Sequence, residues 1–319
     1  MNLPELKIAN LIAPLPIIQG GMAIKISTGA LAGAIAAEGG IGVIGASGMS
    51  FDELADEIRI ARNRAKGGIV GINIMFAARE FVGIVKTAIK EKIDLIFVGA
   101  GFSRDIFKIG QETNTPIVPI VSSVRLAKTS ERCGAAAVVV EGTEAGGHLG
   151  TDRSIKDIFP EIRKAVKLPV IAAGGIIDGA GIAEMIKMGA NGVQMATRFV
   201  LSEECNASLA YKQRYQTATK EDIVTIASPV GLPGRALKTA FVEKILKNDA
   251  PKPIGCDFCL KNCSLKYCII QALINALKGD IENGVVFCGA HIWKIKDRAI
   301  KPIAEIIKDL KAEIAAIPA

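Results

Sequence analysis

Apolar and polar positions along the first two-thirds of the chain form two patterns that follow one another repeatedly. Short apolar runs rich in Ile and Val predict strands, and longer stretches such as FDELADEIRIARNRA, with apolar residues at near-helical spacing, predict helices. The predicted strands, in order, are PLPIIQ (14–19), GVIGA (42–46), VGINIM (70–75), DLIFVG (94–99), PIVPIV (116–121), AVVVEG (137–142), PVIAAG (169–174) and GVQMAT (192–197).

The eight predicted strands are apolar on both faces and alternate with helices, which is typical of buried parallel strands joined by crossover helices. Eight units of this kind predict an α/β fold, a closed (β/α)8 TIM barrel. An open, doubly wound sheet is the alternative.

The alternation stops after the eighth predicted strand. Residues 214–290 contain SPVGLPGR, a cysteine-rich run and one short helical pattern, and the long amphipathic pattern RAIKPIAEIIKDLKAEIAAI follows them. We therefore predict an inserted lid domain over 214–290 and a barrel formed by 1–213 and 291–319. A segment inserted after the last barrel strand emerges at the face where barrel enzymes bind their ligands.

Glycine pairs and polar residues follow the predicted strands at that face. Barrels commonly bind a phosphate at the loops after strands seven and eight, which here contain Gly174, Gly175, Ala196 and Thr197. Each glycine pair alone is also compatible with a tight turn. His148, one of two histidines, follows the sixth predicted strand and is the candidate for proton transfer near neutral pH, with a structural histidine as the alternative.

The composition limits the kinds of molecule that the protein is expected to bind. The chain has 319 residues, 50% of them apolar, and a net charge of +7, but its basic residues are mixed with acidic ones and accompanied by only three Tyr and one Trp. This argues against nucleic acid and favours a small, anionic molecule. The N-terminal MNLPELKIANLIAPLP contains an acidic residue and prolines, so we predict no signal peptide, and no apolar run predicts a membrane span. We expect a cytoplasmic protein, and the sequence leaves open whether it is a monomer or a homodimer.

The motifs IIQGGMA, GGIGVIGASG, GINIM, EGTEAGGHLG, PVIAAGGI and GVQMATRF occur in this order within residues 17–235. In this ordered set the chain resembles the nitronate monooxygenase family, also called the 2-nitropropane dioxygenase family, and its relative, the flavin-dependent enoyl-acyl-carrier-protein reductase II. The resemblance implies a barrel that binds FMN, with His148 as a base near the flavin. By position it also implies cofactor contacts for Gly21, Met22, Ala23, Asn73, Glu141, Gly146, Gly147, Gly174, Gly175, Gln194, Met195, Ala196 and Thr197.

Four of the seven cysteines lie in the run CDFCLKNCSLKYC. The spacing C-x2-C-x3-C-x4-C is compact and uneven, as in 4Fe-4S ligation, whereas zinc sites usually pair two CxxC units. Disulfides are disfavoured in the cytoplasm. We therefore predict a 4Fe-4S cluster on Cys256, Cys259, Cys263 and Cys268, with zinc or unligated thiols as alternatives and Cys288 as an alternative ligand.

Three functions are consistent with these features. The first is an FMN-dependent oxidoreductase of the nitronate monooxygenase type, which oxidises alkyl nitronates or a similar small substrate with His148 as acid or base. The second is an FMN-dependent enoyl-thioester reductase that takes electrons from NAD(P)H or from an iron-sulfur cluster. The third, which is not an enzyme, is a flavin or iron-sulfur redox sensor.

Overall fold

The computed structural model of the protein describes residues 1 and 3–318. Eight parallel strands close into a barrel, as the sequence predicts. In chain order they are β3 (Ile17–Gln19), β4 (Ile41–Gly45), β5 (Ile69–Met75), β6 (Leu95–Gly99), β7 (Ile117–Val121), β8 (Val138–Glu141), β10 (Val170–Ala173) and β11 (Gly192–Met195). The barrel closes where β11 pairs with β3. Each predicted strand contains one of them or overlaps it.

Helices surround this barrel and continue into the later part of the chain. They are α1 (Gly29–Ala37), α2 (Phe51–Arg64), α3 (Phe81–Lys90), α4 (Asp105–Thr113), α5 (Val124–Arg132), α6 (Ile155–Ala165), α7 (Gly179–Lys187), α8 (Thr197–Val200), α9 (Leu209–Thr217), α10 (Ala240–Leu246), α11 (Ile269–Lys278) and α12 (Ile303–Ala315), with a 3-10 helix, η1 (Ile292–Lys294). Within the described part of the chain, no helix combines the length and the apolar character that crossing a membrane requires.

The helix α2 shows how local sequence sets these elements. Ser50 caps its first turn by accepting a hydrogen bond from the backbone N–H of Glu53 at 3.2 Å, and acidic residues in the first turn and basic residues in the last turn suit the helix dipole. Its apolar side, with Leu54 and Ile58, is buried. The neighbouring α1 can pack close to α2 because Gly29 has no Cβ; a Cβ at this position would lie 2.2 Å from the carbonyl oxygen of Glu57.

A short antiparallel hairpin, β1 (Leu6–Ile8) and β2 (Leu11–Ala13), precedes the barrel and is absent from the sequence prediction. Its Leu6 and Ile8 are fully buried and belong to the same apolar cluster as Phe97 and Val139 from the barrel interior. The hairpin therefore closes the end of the barrel at which the strands begin. The opposite end, where the strands terminate, is left for a cavity.

A second, antiparallel sheet lies over that cavity. It contains β12 (Ile223–Ala227), β13 (Pro233–Leu237), β14 (Val286–Phe287) and the two-residue strand β9 (Gly147–His148). Because β9 belongs to the loop after β8, the predicted lid segment is joined to the barrel by strand pairing. The predicted boundary at residue 213 lies inside α9, and the division into two domains stays a prediction.

Candidate active site

A cavity of about 280 Å³ lies at the carboxyl ends of the barrel strands. All of the residues for which the sequence predicts cofactor contacts line it: Gly21, Met22, Ala23, Asn73, Glu141, Gly146, Gly147, Gly174, Gly175, Gln194, Met195, Ala196 and Thr197. The predicted catalytic residue, His148, also lines it. Residues distributed over most of the chain thus meet in one place, which is what parallel strands with a common direction produce.

The glycines of this cavity permit close approaches that side chains would block. A Cβ on Gly21 would lie 2.4 Å from the Cβ of Asn73, and one on Gly175 would lie 2.7 Å from Nδ1 of His291. Gly174 and Gly175 both have positive φ, at 109° and 70°, where other residues are strained. These loops consequently present backbone rather than side chains to the cavity.

The short helix α8 begins at the loop after β11. Ala196 occupies the N-cap position, and the Thr197 hydroxyl accepts a hydrogen bond from the backbone N–H of Gly289 at 3.0 Å. No side chain caps this helix. The N–H of Phe199 donates to the carbonyl of Ala196, which leaves the N–H groups of Thr197 and Arg198 at the start of the helix, near the loop with Gly174 and Gly175, as a site suited to an anion.

Three polar side chains at strand ends are available to a ligand. Asn73, Glu141 and Gln194 line the cavity, and none of them makes a side-chain hydrogen bond to the described residues, 1 and 3–318. Burial raises the pKa of Glu141 to about 7, because its charged form is poorly solvated there. By contrast, the amide of buried Gln19 is already used: it donates to the Gly20 carbonyl and accepts from the N–H of Val43.

The position of His148 depends on the second sheet. Its strand, β9, pairs with β13, and its Nε2 lies 2.8 Å from the hydroxyl oxygen of Ser228. The edge of its ring packs on Phe287, with ring centroids 5.2 Å apart. Burial lowers the pKa of His148 to about 4, so the imidazole is neutral at neutral pH. The phenol of Tyr267 donates to the carbonyl of Ala227, the residue before Ser228, at 3.0 Å, which connects this loop to the region before α11.

The sequence prediction missed the apolar wall of the cavity. Leu260, Ile269, Ile270, Leu273 and Phe287, all from the later part of the chain, line it together with the predicted residues. The sequence pattern IIQALINALK predicts a helix with an apolar side, and such a side is normally buried against another part of the protein. The spacing of its apolar residues does not show which part of the protein that is.

The four cysteines of the predicted metal site lie in residues 247–268, which we call the cysteine segment. It contains no helix or strand apart from an isolated bridge between Leu260 and Ala78. Burial raises the pKa of the Cys259 thiol, and the nearby thiols of Cys268, Cys256 and Cys263 raise it further, so the four side chains are neighbours.

This neighbourhood is not a metal site in the structure. Among residues 1 and 3–318, no group of three His, Cys, Asp or Glu side chains has an arrangement that could hold a metal ion. The sulfurs of Cys256 and Cys268 instead accept backbone hydrogen bonds from Phe258 and Gln271, both at 3.4 Å. Cys288, the alternative ligand, is buried. The iron-sulfur and zinc predictions therefore gain no support from this geometry.

Comparison with known proteins agrees with the barrel fold. The model of the family described as "Nitronate monooxygenase" matches residues 5–80 and 61–313. The chain belongs to the nitronate monooxygenase family. This confirms the resemblance inferred from the ordered motifs.

Three relatives show how the family varies. A probable nitronate monooxygenase of Staphylococcus aureus is 28% identical, with 87% of each chain covered. A Mycobacterium tuberculosis protein, (3aS,4S,5R,7aS)-5-hydroxy-7a-methyl-1-oxo-octahydro-1H-indene-4-carboxyl-CoA dehydrogenase, is 31% identical over 72% of this chain but only 65% of its own length. The structure of FabK from Thermotoga maritima has a TM-score of 0.85 and 34% identity, covering 94% of this chain and 93% of FabK. These relatives are oxidoreductases, which supports an enzymatic activity for this member of the nitronate monooxygenase family.

Proposed function

We propose that the protein is an FMN-dependent oxidoreductase whose reaction takes place in the cavity at the barrel mouth. The observation that carries the proposal is that one cavity joins an anion site at the start of α8 to a partly buried histidine whose lowered pKa leaves it neutral. The residues fit a phosphorylated flavin. The loops with Gly174, Gly175, Ala196 and Thr197 would hold its phosphate, and the unpaired amides of Asn73 and Gln194 would bind polar atoms of its ring.

When bound, FMN would supply the exchange of an electron pair with the substrate. The role of the chain's own residues is to bind, to orient and to move a proton. His148 is uncharged at neutral pH, so its unprotonated ring nitrogen can accept the α-proton of a neutral nitroalkane, which becomes the nitronate. For a substrate that arrives as the nitronate, the role of His148 is to orient it. Its contacts with Ser228 and Phe287 hold the ring in one orientation.

For the substrate, we propose an alkyl nitronate or a similar small, activated molecule, in keeping with the family. A second candidate is an enoyl thioester, reduced at the expense of NAD(P)H. It is favoured by the apolar wall from Leu260 to Leu273, which suits an acyl chain, and by the likeness to FabK, an enoyl reductase. A sensor without catalysis would have no use for a histidine held in the cavity.

The FMN site is tested best at Ala196. Gly175→Asp would be harder to interpret, because any Cβ at this position would collide with His291 and because the backbone of Gly175 has a positive φ that strains other residues. Ala196→Asp and Ala196→Asn both place a favourable capping residue at the N-cap of α8, and only the first adds a negative charge. Both side chains would compete with a phosphate for the N–H groups of the first turn, but only Asp would also repel its charge, so we expect Ala196→Asp to purify without FMN and Ala196→Asn to retain part of it. Equal flavin content in the two variants would show that the phosphate lies elsewhere.

The substrate is tested with flavin-loaded protein. Reduction of the flavin by a nitronate under anaerobic conditions, with reoxidation by oxygen, would support the first candidate. Reduction by NADPH followed by reoxidation by crotonyl thioester would support the second. If no donor and no acceptor is turned over, the sensor becomes the better explanation.

The 4Fe-4S cluster and the zinc ion predicted from the cysteine spacing are not part of this proposal. No group of metal-binding side chains is arranged to receive either within the described residues, so no step of the reaction is assigned to the cysteine segment.

A further inference from the structure

A second concave site lies outside the cavity, behind its wall. This pocket has a volume of about 500 Å³ and lies between the sheet strands β12 and β13 and the 3-10 helix η1. Its lining residues are Lys220, Ile223, Val224, Thr225, Arg235, Ala290, His291, Trp293 and Lys294. We call it the basic pocket, because it contains three permanent cations and no carboxylate.

The cations of the basic pocket are available to a ligand. Lys220, Arg235 and Lys294 form no ion pair with the described residues, 1 and 3–318. One nitrogen of Arg235, Nη1, donates to the carbonyls of Thr143 and Ala145, the latter at 2.7 Å, which anchors the guanidinium while its other nitrogens make no hydrogen bond within those residues. A concave surface of uncompensated positive charge attracts anions, and arginine and lysine suit phosphate in particular.

Two acidic side chains near the basic pocket have hydrogen-bond partners of their own. Glu144 accepts hydrogen bonds from the Ser154 hydroxyl and from the backbone N–H of Ile155. Asp222 accepts from Thr219 and lies 3.6 Å from a guanidinium nitrogen of Arg214. Neither carboxylate forms an ion pair with Lys220, Arg235 or Lys294, and the charge of Glu144 acts on Arg235 only at longer range.

An aromatic ring lies beside these charges. Trp293 is 36% exposed, and the Lys294 ammonium is held 5.3 Å from its ring centroid. An exposed indole next to cations is an arrangement that suits a nucleotide, since nucleobases stack on aromatic side chains. The volume also falls in the range of about 300–1,000 Å³ that is typical of small-molecule sites.

The basic pocket and the active-site cavity share one wall. His291 in the pocket hydrogen-bonds the carbonyl of Gly175 at 2.8 Å, and the N–H of Ala290 donates to the carbonyl of Glu144. Arg235 pairs in the sheet with Gly147, the residue before His148. A ligand bound in the pocket therefore lies next to the loops that carry the proposed phosphate site and the histidine.

We propose that the basic pocket binds the phosphorylated adenosine end of a soluble nucleotide. This inference rests on the second candidate for the proposed function, the reduction of an enoyl thioester, which uses a nicotinamide dinucleotide as electron donor and can take a coenzyme A thioester as substrate. Both molecules carry an adenosine with phosphates at the end remote from the reacting group. The FMN phosphate does not compete, because the loops of β10 and β11 bind it on the other side of the wall.

Trp293 makes a site-specific test available, because it is the sole tryptophan of the chain. Flavin-loaded protein is titrated with ADP while its tryptophan fluorescence is followed, and calorimetry measures the same affinity independently. We expect saturable binding of ADP, and much weaker binding of adenosine or inorganic phosphate alone. Titrations with NADP⁺ and with coenzyme A then identify the source of the nucleotide by which of them binds more tightly.

Charge-reversal substitutions inside and outside the basic pocket test whether its cations bind the nucleotide. Lys220→Glu and Lys294→Glu should each weaken ADP binding about tenfold or more, as expected for loss of a charged hydrogen bond. Lys86→Glu, on an exposed position of α3, makes the same change of net charge away from the pocket and should leave the affinity unchanged. Absence of saturable binding, or equal affinities in Lys86→Glu and Lys294→Glu, would overturn the proposal.

The outcomes also separate this inference from the proposed function. Turnover by a protein that does not bind ADP would refute the nucleotide site alone. Binding of ADP by a protein that turns over neither nitronates nor thioesters would support the site and refute the proposed oxidoreductase reaction.

Discussion

The barrel mouth and the cysteine segment both looked like sites in the sequence, but they differ in how the backbone holds them. At the mouth, most of the predicted residues lie at the end of a parallel strand that is hydrogen-bonded on both sides, or directly after it, so their positions are set by the barrel. Gly147 and His148 depend in addition on the pairing of β9 with β13. The cysteine segment, residues 247–268, is mostly coil. It is attached by backbone hydrogen bonds from Arg79 to Cys259, from Lys261 to Ala77 and from Ser264 to Pro229.

The difference shows when spacing in a sequence can locate a site. In a barrel, strand spacing converts directly into position in space, because all strands end at one face. In coil, the same number of intervening residues is compatible with many separations of the side chains. Cysteine spacing therefore predicts which thiols are neighbours but leaves their geometry undetermined in the absence of a ligand.

Among the substitutions that test this comparison, His148→Ala should have the largest effect on turnover. His148→Ala should lower turnover about 10²–10⁴-fold, because it removes the group that moves the proton. FMN content should not change, since the histidine lies away from the proposed phosphate site. Turnover and flavin absorbance, measured on the same preparation, test both statements. Unchanged turnover would make His148 a structural residue.

A second effect concerns Glu141 and pH. Because burial raises its pKa from 4.5 to about 7, the folded state holds a proton that the unfolded state has already released between these values. The corresponding stability is present below about pH 4.5 and is lost as pH rises to about 7. The magnitude is about 2 kcal/mol, allowing for access of solvent through the cavity.

The Glu141 effect must be measured as a difference between variants. His148, with its pKa lowered to about 4, has the opposite effect and stabilises the fold as pH rises from about 4 to 6.5. Denaturant unfolding of wild-type and Glu141→Gln protein, both stripped of FMN, isolates the carboxyl group. The wild-type stability relative to the variant should fall between pH 4.5 and 7, and a flat difference would contradict the raised pKa.

A smaller effect is expected for Ser228, which positions His148. Ser228→Ala removes one hydrogen bond to the ring, worth about 1 kcal/mol, so we expect about a fivefold lower kcat. KM should change little, because the hydroxyl is not assigned a contact with substrate. Ser228→Thr, which keeps the hydroxyl, is the control. A larger rise in KM than fall in kcat would show that Ser228 binds the substrate directly.

The smallest effect should be that of Cys259→Ala. The Cys259 thiol is one of many groups around the cavity. FMN content should therefore equal that of wild type, and the free energy of unfolding should change by less than about 0.5 kcal/mol. Metal analysis of anaerobically purified wild-type protein is the stronger test. Iron and sulfide in near-equal amounts would break the comparison, because a cluster would then give the segment the fixed geometry that it lacks here.

Much of the barrel was predictable because its signals are local. The run IVGINIM is apolar enough to be buried on both faces, and it forms β5. Gly279, at the end of the pattern IIQALINALKG, adopts the left-handed conformation that ends α11. The hairpin β1–β2 and the strand β9 were missed, because strands of two or three residues carry no detectable periodicity.

The sequence by itself determined the barrel, the family and the residues of the mouth. Apolar runs report which segments are buried strands, and glycine pairs after those strands report where the backbone needs conformational freedom. Only the tertiary structure decided the rest. It placed Ser228 against His148, joined β9 to β13, directed α11 toward the cavity and assembled the basic pocket from residues 220–235 and 290–294. The physical reason is that these contacts join segments distant in the chain, and their pairing is selected by packing and hydrogen bonding over the whole fold rather than by any local pattern.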